Sequence, residues 1–262
     1  MSLPWQRLAD DNLPAEGPAA FDSDLSAGNL HAAALAGFYC FPASSYEQAL
    51  FNDIRYGADV ASGVRSVDPG DPDPYSVAWL NPDPRPVIDV RKRRVGRSMR
   101  KLARQRSTWR TTVDQAFEDV VTTCAQHHTR AHGTTWITGS LSEALGDLHR
   151  TGLAHSCEVW DGDRLIGAVF GLQLGTVFTA DSQFTAIDGA GKLAVADLTV
   201  RFAQAGGALV DLQHDTTHAR SLGAEPMHRP SYLGALPRLT SSEAVIPSES
   251  RSAGHIAELV VA

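Results

Sequence analysis

The sequence predicts an α+β chain organised around one largely antiparallel sheet, and three observations carry that prediction. Residues 155–160, 164–173 and 176–184 read as three successive strands, separated by a two-residue Gly162-Asp163 turn and a turn at Gly175. A helix-period run, LAVADLTVRFAQAG (193–206), follows them. A fourth apolar strand then runs from Ala208 to Leu212. A meander, a crossover helix and a further strand put all four strands in one sheet.

The other elements follow in chain order. Residues 1–28 are rich in Pro, Ala, Asp and Ser and predict a flexible leader. Leu30, Ala33, Ala34 and Leu35 space a short helix that Gly37 ends. SGVRSVDPGDPDPYS (62–76) is a turn-rich surface loop. VAWLNPDPRPVIDV gives a short strand, an Asn-Pro-Asp-Pro turn and a second strand over Pro86–Val90. In residues 91–110, Val95, Met99 and Leu102 fall at i, i+4 and i+7, the spacing of a helix with one apolar stripe. TVDQAFEDVVTTCA (112–125) is a second amphipathic helix with Asp114 as its N-cap, followed by a loop, HHTRAHGTTWIT. SLSEALGDLHRTG opens with a capping box of Ser140 and Glu143 and stops at Gly152.

With 262 residues, 43% hydrophobic and 20% charged, the chain reads as globular around a substantial core. No run approaches the roughly 20 apolar residues of a membrane helix, and MSLPWQRLADDNLP lacks a secretory-signal pattern. Cys40, Cys124 and Cys157 are scattered and free of CxxC spacing, which points to a reducing cytoplasm without a disulfide framework or a zinc site. A cytoplasmic monomer without a membrane partner is the expectation. The net charge of −7 disfavours nucleic acid, yet residues 91–110 hold ten of the 23 Lys and Arg and no acid. Such a run is either a solvated helix face or a contact for a phosphate backbone; the lack of interspersed Glu favours the second.

Asp211 stands inside the fourth apolar strand, a costly place for a carboxylate unless it is hydrogen-bonded or used. Gln213 falls two residues on, on the same strand face. The pair is either a capped turn beside a solvated amide or a site. His214 and His218 follow, and HDTTH (214–218) imitates a zinc helix, but its threonines are weak helix formers and no third ligand is evident. DGAGK (188–192) fails the P-loop pattern, with Ala186 and Leu193 at its fixed positions. It also fails the acetyl-coenzyme A loop pattern. No GxSxG elbow is present. The expectation is therefore no cofactor, no metal and no covalent nucleophile. Trp79 and Trp160 are core or rim aromatics by default, His127, His128 and His132 are solvated, and Trp136 has the best claim to stack on a base.

Strands, helix and fourth strand follow the order of the acetyltransferase-like (GNAT) superfamily. NPDPRPVI (81–88), RSMRK (97–101), TTWIT (134–138), LHRTGLAHSCEVWDGDRLIGAVFG (148–171), DSQF (181–184), the Asp211/Gln213 pair and SLGA (221–224) together resemble the leucyl/phenylalanyl-tRNA–protein transferase family over residues 29–236. The resemblance implies a small N-terminal α/β domain (29–88) on a GNAT-like catalytic domain (89–240), flanked by the leader (1–28) and a tail (241–262). It implies transfer of an aminoacyl group from aminoacyl-tRNA to the amine of a protein beginning with Arg or Lys, with no cofactor. Asp211 is then the candidate base, Gln213 orients the ester or amine, and Asp181 attracts the cationic acceptor. Ser182, Gln183 and Phe184 line the donor pocket, with Trp79 and Trp136 as further substrate contacts. Arg85, Arg91, Lys92, Arg93, Arg94, Arg97, Arg100 and Lys101 hold tRNA. The family's GESMFS reads ADSQFT here, so Asp181 replaces Glu and Gln183 replaces Met; Leu145 replaces a Tyr and Gly191 a Ser. These departures leave room for the same chemistry on a small amine or peptide acceptor with another amino acid. A non-catalytic tRNA- or peptide-binding relative is the further alternative.

Overall fold

The computed structural model describes residues 3–9, 12–92 and 96–258. The first part of the chain forms a four-stranded sheet and its helices: α1 (Trp5–Ala9), β1 (Pro18–Asp22), α2 (Ala27–Leu35), β2 (Tyr39–Pro42), α3 (Tyr46–Ala61), β3 (Ser66–Val67) and β4 (Val77–Leu80). Its strand order is β2-β4-β1-β3. The described residues of 1–28 are therefore packed, where a flexible leader was expected. β1 is an inner strand, buried along its whole length. Trp5 is 4% exposed, packs on Trp79 at 4.6 Å between ring centres, and donates from Nε1 to Asn29 Oδ1 at 2.8 Å. One large aromatic and a five-residue strand anchor this segment, and neither stands out in a Pro/Ala/Asp-rich composition.

The second part contains β5 (Arg85–Asp89), α4 (Arg97–Gln105), β6 (Arg110–Val113), α5 (Phe117–His132), α6 (Gly139–Arg150), β7 (Ala154–Asp161), β8 (Arg164–Leu174), β9 (Val177–Thr185), α7 (Ala190–Gln204), β10 (Leu209–Asp211), α8 (Thr217–Leu222), β11 (Glu225–Met227), α9 (Arg229–Thr240), β12 (Arg251–Ser252) and α10 (Ala253–Glu258). Their eight strands form one sheet, in the order β11-β5-β10-β9-β8-β7-β6-β12. β7, β8 and β9 are the expected meander, and β10 lies parallel to β9 after the α7 crossover. The α+β class stands.

Several boundaries move. β5 belongs to the large sheet, so the two sheets divide between β4 and β5 and not at residue 88. The 241–262 segment is integral to its described end. β12 extends the sheet beside β6, Ile246 and Ile256 are buried, and Arg201 donates to the Pro247 and Glu249 carbonyls at 2.7 and 2.8 Å. The basic run is helical only over α4 and ends in a strand, β6; Val95 lies outside the described residues. Asp114 does not cap a helix. It takes a left-handed φ of 60° and accepts from the Ser156 N–H at 2.9 Å. α5 starts later and continues through His132, which puts His127, His128 and His132 on a helix rather than in a loop. The α6 cap is Thr138, whose side chain accepts from Leu141 N, not Ser140.

The large sheet is covered on both faces, as its apolar strands require. Phe170 and Leu172 pack with α2, α5, α6 and the N-terminal sheet on one face. Val169, Phe178 and Val210 pack with α4, α7 and α10 on the other.

Candidate active site

β9 and β10 are paired only as far as Thr179 and Asp211. Beyond them β9 runs on to Thr185 alone, while β10 has ended. A parallel pair whose strands part in this way leaves a row of backbone groups and a crevice at the strand ends, the usual place for a ligand in such sheets.

A β-bulge aims the side chain at this opening. The β8–β9 register shifts between Phe170↔Ser182 and Gly171↔Ala180, so Asp181 is the extra residue. Bulges of this kind re-aim side chains beside active sites. Gly171 makes the bulge possible: a Cβ there would lie 1.6 Å from the Thr179 carbonyl oxygen. Asp181 is half-buried, and its Oδ1 accepts from Gln213 Nε2 at 2.7 Å and Thr179 Oγ1 at 2.9 Å. Burial pushes its carboxyl up to about 7, reinforced by the nearby Asp211 and opposed by the two hydrogen bonds and Arg85.

Asp211 is placed differently from the expectation. It is fully buried, and its Oδ2 is paired with Arg85 Nη2 and accepts from the Tyr232 hydroxyl at 2.9 Å. Its Oδ1 accepts from the Gln213 N–H at 2.8 Å, an Asx-type turn. That turn holds Gln213 at φ 63°, a conformation that costs about 1 kcal/mol or more for a residue with a Cβ. Gln213 is therefore off the strand, and it reaches Asp181 because the chain has turned. Both early readings of this pair hold in part: Asp211 caps a turn, and the turn serves the site.

Arg85 is likewise not on the surface. It is 1% exposed, donates from Nη1 to the Gly37 carbonyl at 2.8 Å, and lies over the rings of Tyr232 and Tyr39 at 4.7 and 5.1 Å. An arginine so enclosed cannot hold a tRNA phosphate. No local sequence signal marks this, because Asp211 and Tyr232 stand 126 and 147 positions away.

Two spaces meet at Asp181 and Gln213. The first is a narrow cavity of about 30 Å³ between the two sheets, with Tyr39, Trp79 and Leu145 among its walls. The second is a more open cleft of about 460 Å³ along the edge of β9 that β10 leaves uncovered. It touches both sides of the sheet, with Phe41, His128 and Trp136 toward one face and Val169, Val195 and Leu222 toward the other. Trp136 borders both spaces, half-buried, with its ring 5.1 Å from Phe41 and 6.1 Å from His128.

Ser182 and Gln183 line the cleft. Ser182 Oγ is 3.0 Å from His128 Nε2, and Gln183 meets His218. Phe184 does not line it; it is 3% exposed and packs beside His127 of α5. Trp79 is 1% exposed, and its Nε1 donates to Asp22 Oδ1 at 2.7 Å, leaving only a ring edge for the inner cavity. His214 borders the cleft beside Tyr39, whose hydroxyl is 3.3 Å from its Nε2. The DGAGK glycines serve packing: a Cβ on Gly191 would lie 2.2 Å from Thr185 Oγ1.

Of the basic run, Arg93 and Arg94 lie outside the described residues. Arg91 and Lys92 project into solvent beside Asp89, at 3.6 and 3.3 Å. Arg97, Lys101 and Arg104 are exposed on α4, and Arg100 is half-buried. Leu102 of the same helix abuts Gly189 at the start of α7. This contact seats α4 beside the start of α7, which follows β9 in the chain. Tyr39, Phe41, His128, His218 and Tyr232 complete the neighbourhood; of these the sequence singled out only His218, as a possible metal ligand, and His128, as a solvated residue. Among the described residues no group of His, Cys, Asp and Glu forms a metal cluster.

The model of the leucyl/phenylalanyl-tRNA protein transferase family matches residues 87–237. A leucyl/phenylalanyl-tRNA–protein transferase of Ectopseudomonas mendocina is 39% identical over 166 residues, covering 63% of this chain and 73% of the relative. The enzyme of the same name from Pseudomonas syringae pv. syringae is 40% identical over 166 residues (63% and 72%), and that of Shewanella baltica 39% over 166 (63% and 69%). The matched span holds the bulge, the Asp211 turn, Tyr232 and the basic helix, and the chain belongs to the leucyl/phenylalanyl-tRNA–protein transferase family.

Proposed function

We propose that this enzyme moves the aminoacyl group of an aminoacyl-tRNA onto the N-terminal amine of an acceptor protein, forming a peptide bond. Leucyl and phenylalanyl are the donors that its relatives' names give. The scaffold is read as acetyltransferase-like, with the N-terminal sheet as a separate small domain, acting as a monomer in the cytoplasm. The order meander, crossover helix, parallel strand and the opening beyond Thr179 and Asp211 support the acetyltransferase-like part of that reading. Among the described residues no helix is long and apolar enough to cross a membrane.

The amine nitrogen attacks the ester carbonyl, loses a proton, and the ribose oxygen of the tRNA leaves and takes one up. The protein's work is positioning, proton handling and charge stabilisation. Asp181 is the base in this reading. It faces the cleft, which has room for substrate, and a carboxyl that burial pushes up to about 7 suits a proton acceptor at neutral pH. Asp211, enclosed by Arg85, Tyr232 and Gln213, is a positioning residue that fixes the turn carrying Gln213. Gln213 in turn orients Asp181. Trp136 stacks on the terminal adenosine, Ser182 and Gln183 border the donor side chain, and Arg91, Lys92, Arg97, Arg100 and Lys101, with Arg93 and Arg94, hold tRNA phosphates.

The observation that carries the proposal is the half-buried, uncommonly basic Asp181 on a bulge at the strand opening. The test incubates the protein with charged tRNAs and an Arg-initiated peptide and follows the labelled amino acid into peptide. Asp181→Asn should lower the turnover about 10²–10⁴-fold, the usual worth of a general base, with tRNA affinity retained. An Asn variant within tenfold of the parent removes Asp181 as base. A protein that binds no charged tRNA at low salt ends the whole reading. Release of amino acid from tRNA only onto small amines would move the acceptor to the second reading, which Gln183 and Leu145 favour.

A further inference from the structure

Gln183 follows Asp181 by two residues on β9, a distance along the strand of about 7 Å. It pairs with Val169 across β8–β9, and both border the cleft together with Val195 and Leu222. Beside these apolar residues the lining carries Gln183 and His218, which stand against each other. Gln183 Nε2 is placed to donate to His218 Nε2. The other end of the same amide, Oε1, is buried and has no hydrogen-bond partner in the protein. Turning the amide over exchanges the two ends and leaves the NH₂ unpartnered instead. Burial and the nearby Lys192 both hold the His218 imidazole below its ordinary range, so the wall carries no cation from that ring at neutral pH.

A buried amide end without a partner is costly, and an all-hydrocarbon side chain lying against it does nothing to relieve the cost. We propose that Gln183, held by His218, makes the donor site of this enzyme select an aminoacyl group whose side chain is neutral and ends in a hydrogen-bonding group, a carboxamide or a hydroxyl, over leucyl and phenylalanyl. The inference rests on the transferase reading. Its new content is the class of side chain and the residue that chooses it. Both a carboxamide and a hydroxyl can donate and accept, so either satisfies the free end whichever way the amide is turned. The apolar walls still bury the stem of that side chain.

The test uses non-reactive 3′-aminoacylamino-3′-deoxyadenosines, so that binding is read without an acceptor. Two pairs are compared on the full chain: asparaginyl against leucyl, and tyrosyl against phenylalanyl. The members of each pair share a shape and differ in polar atoms. The expected result is a preference of about tenfold or more for the polar member in at least one pair. Gln183→Met should reverse that preference, while its circular dichroism and melting curve stay those of a folded protein. His218→Phe, which removes the partner that holds the amide, should reduce it. If the leucyl and phenylalanyl compounds bind as well as their polar counterparts, the selectivity proposal is overturned and the transferase reading stands. If none of the four compounds binds and charged tRNA does not bind either, both fall.

Discussion

Arg85→Met should destabilise the protein by about 3–5 kcal/mol and leave the salt dependence of tRNA binding unchanged. The magnitude comes from what the substitution leaves behind. Asp211 has no exposure, and without the guanidinium its carboxylate keeps only the Tyr232 hydroxyl and the Gln213 N–H. Removing one partner of a buried pair costs this much because the other charge stays enclosed. Urea unfolding followed by tryptophan fluorescence at pH 7 measures the loss. Filter binding of tRNA across salt concentrations supplies the control, since each lost phosphate contact would lower the slope by about 0.7–0.9. A loss under 1 kcal/mol, or a slope reduced by one contact, would refute the placement of Arg85 inside the protein.

Other expectations follow from the same geometry. Gly171→Ala should cost at least about 1–3 kcal/mol and lower transfer more than it lowers tRNA binding, because the new methyl would displace Thr179 and with it the bulge that carries Asp181; an active, equally stable variant would show that the bulge is dispensable. Turnover at saturating substrate should rise with pH through about 7 as Asp181 loses its proton, and this limb should be missing from the residual rate of Asp181→Asn. Asp22 is buried beneath Trp79 and Asn29, and desolvation pushes its carboxyl up to about 6. Its folded value is raised, so stability should fall as pH rises from about 4 to 6 and then level off; Asp22→Asn should flatten that fall in thermal melts taken across the range. Replacing Arg97, Arg100 and Lys101 together with Ala should weaken tRNA binding and reduce the salt slope by about two to three.

How legible the molecule was in its sequence depended on how local each signal is. The meander, α7 and β10 declare themselves by alternation and helical period, and the strand bounds agree within two residues. Asp211 and Gln213 were visible because a polar pair interrupts an apolar strand. Their division of labour was not, since it depends on Arg85 and Tyr232 arriving from β5 and α9. The strand pattern put Gln213 on the Asp211 face; the left-handed turn that redirects it is a tertiary effect of the Asp211 carboxylate. The bulge was hidden for a related reason, because one extra residue in β9 is defined only against β8. Trp5 and β1 were misjudged because burial by a few large contacts leaves little mark on composition.

The dependence of the Asp211 turn on Tyr232 has a consequence for synthesis. Arg85, Asp181, Asp211 and Gln213 are all made before residue 232, yet the last hydroxyl that the buried carboxylate accepts comes from α9. A nascent chain that has just released Gln213 therefore carries every reacting group with its centre still unfastened. Partial translation products that stop before residue 232 lack this hydroxyl and should be inert toward charged tRNA rather than weakly active.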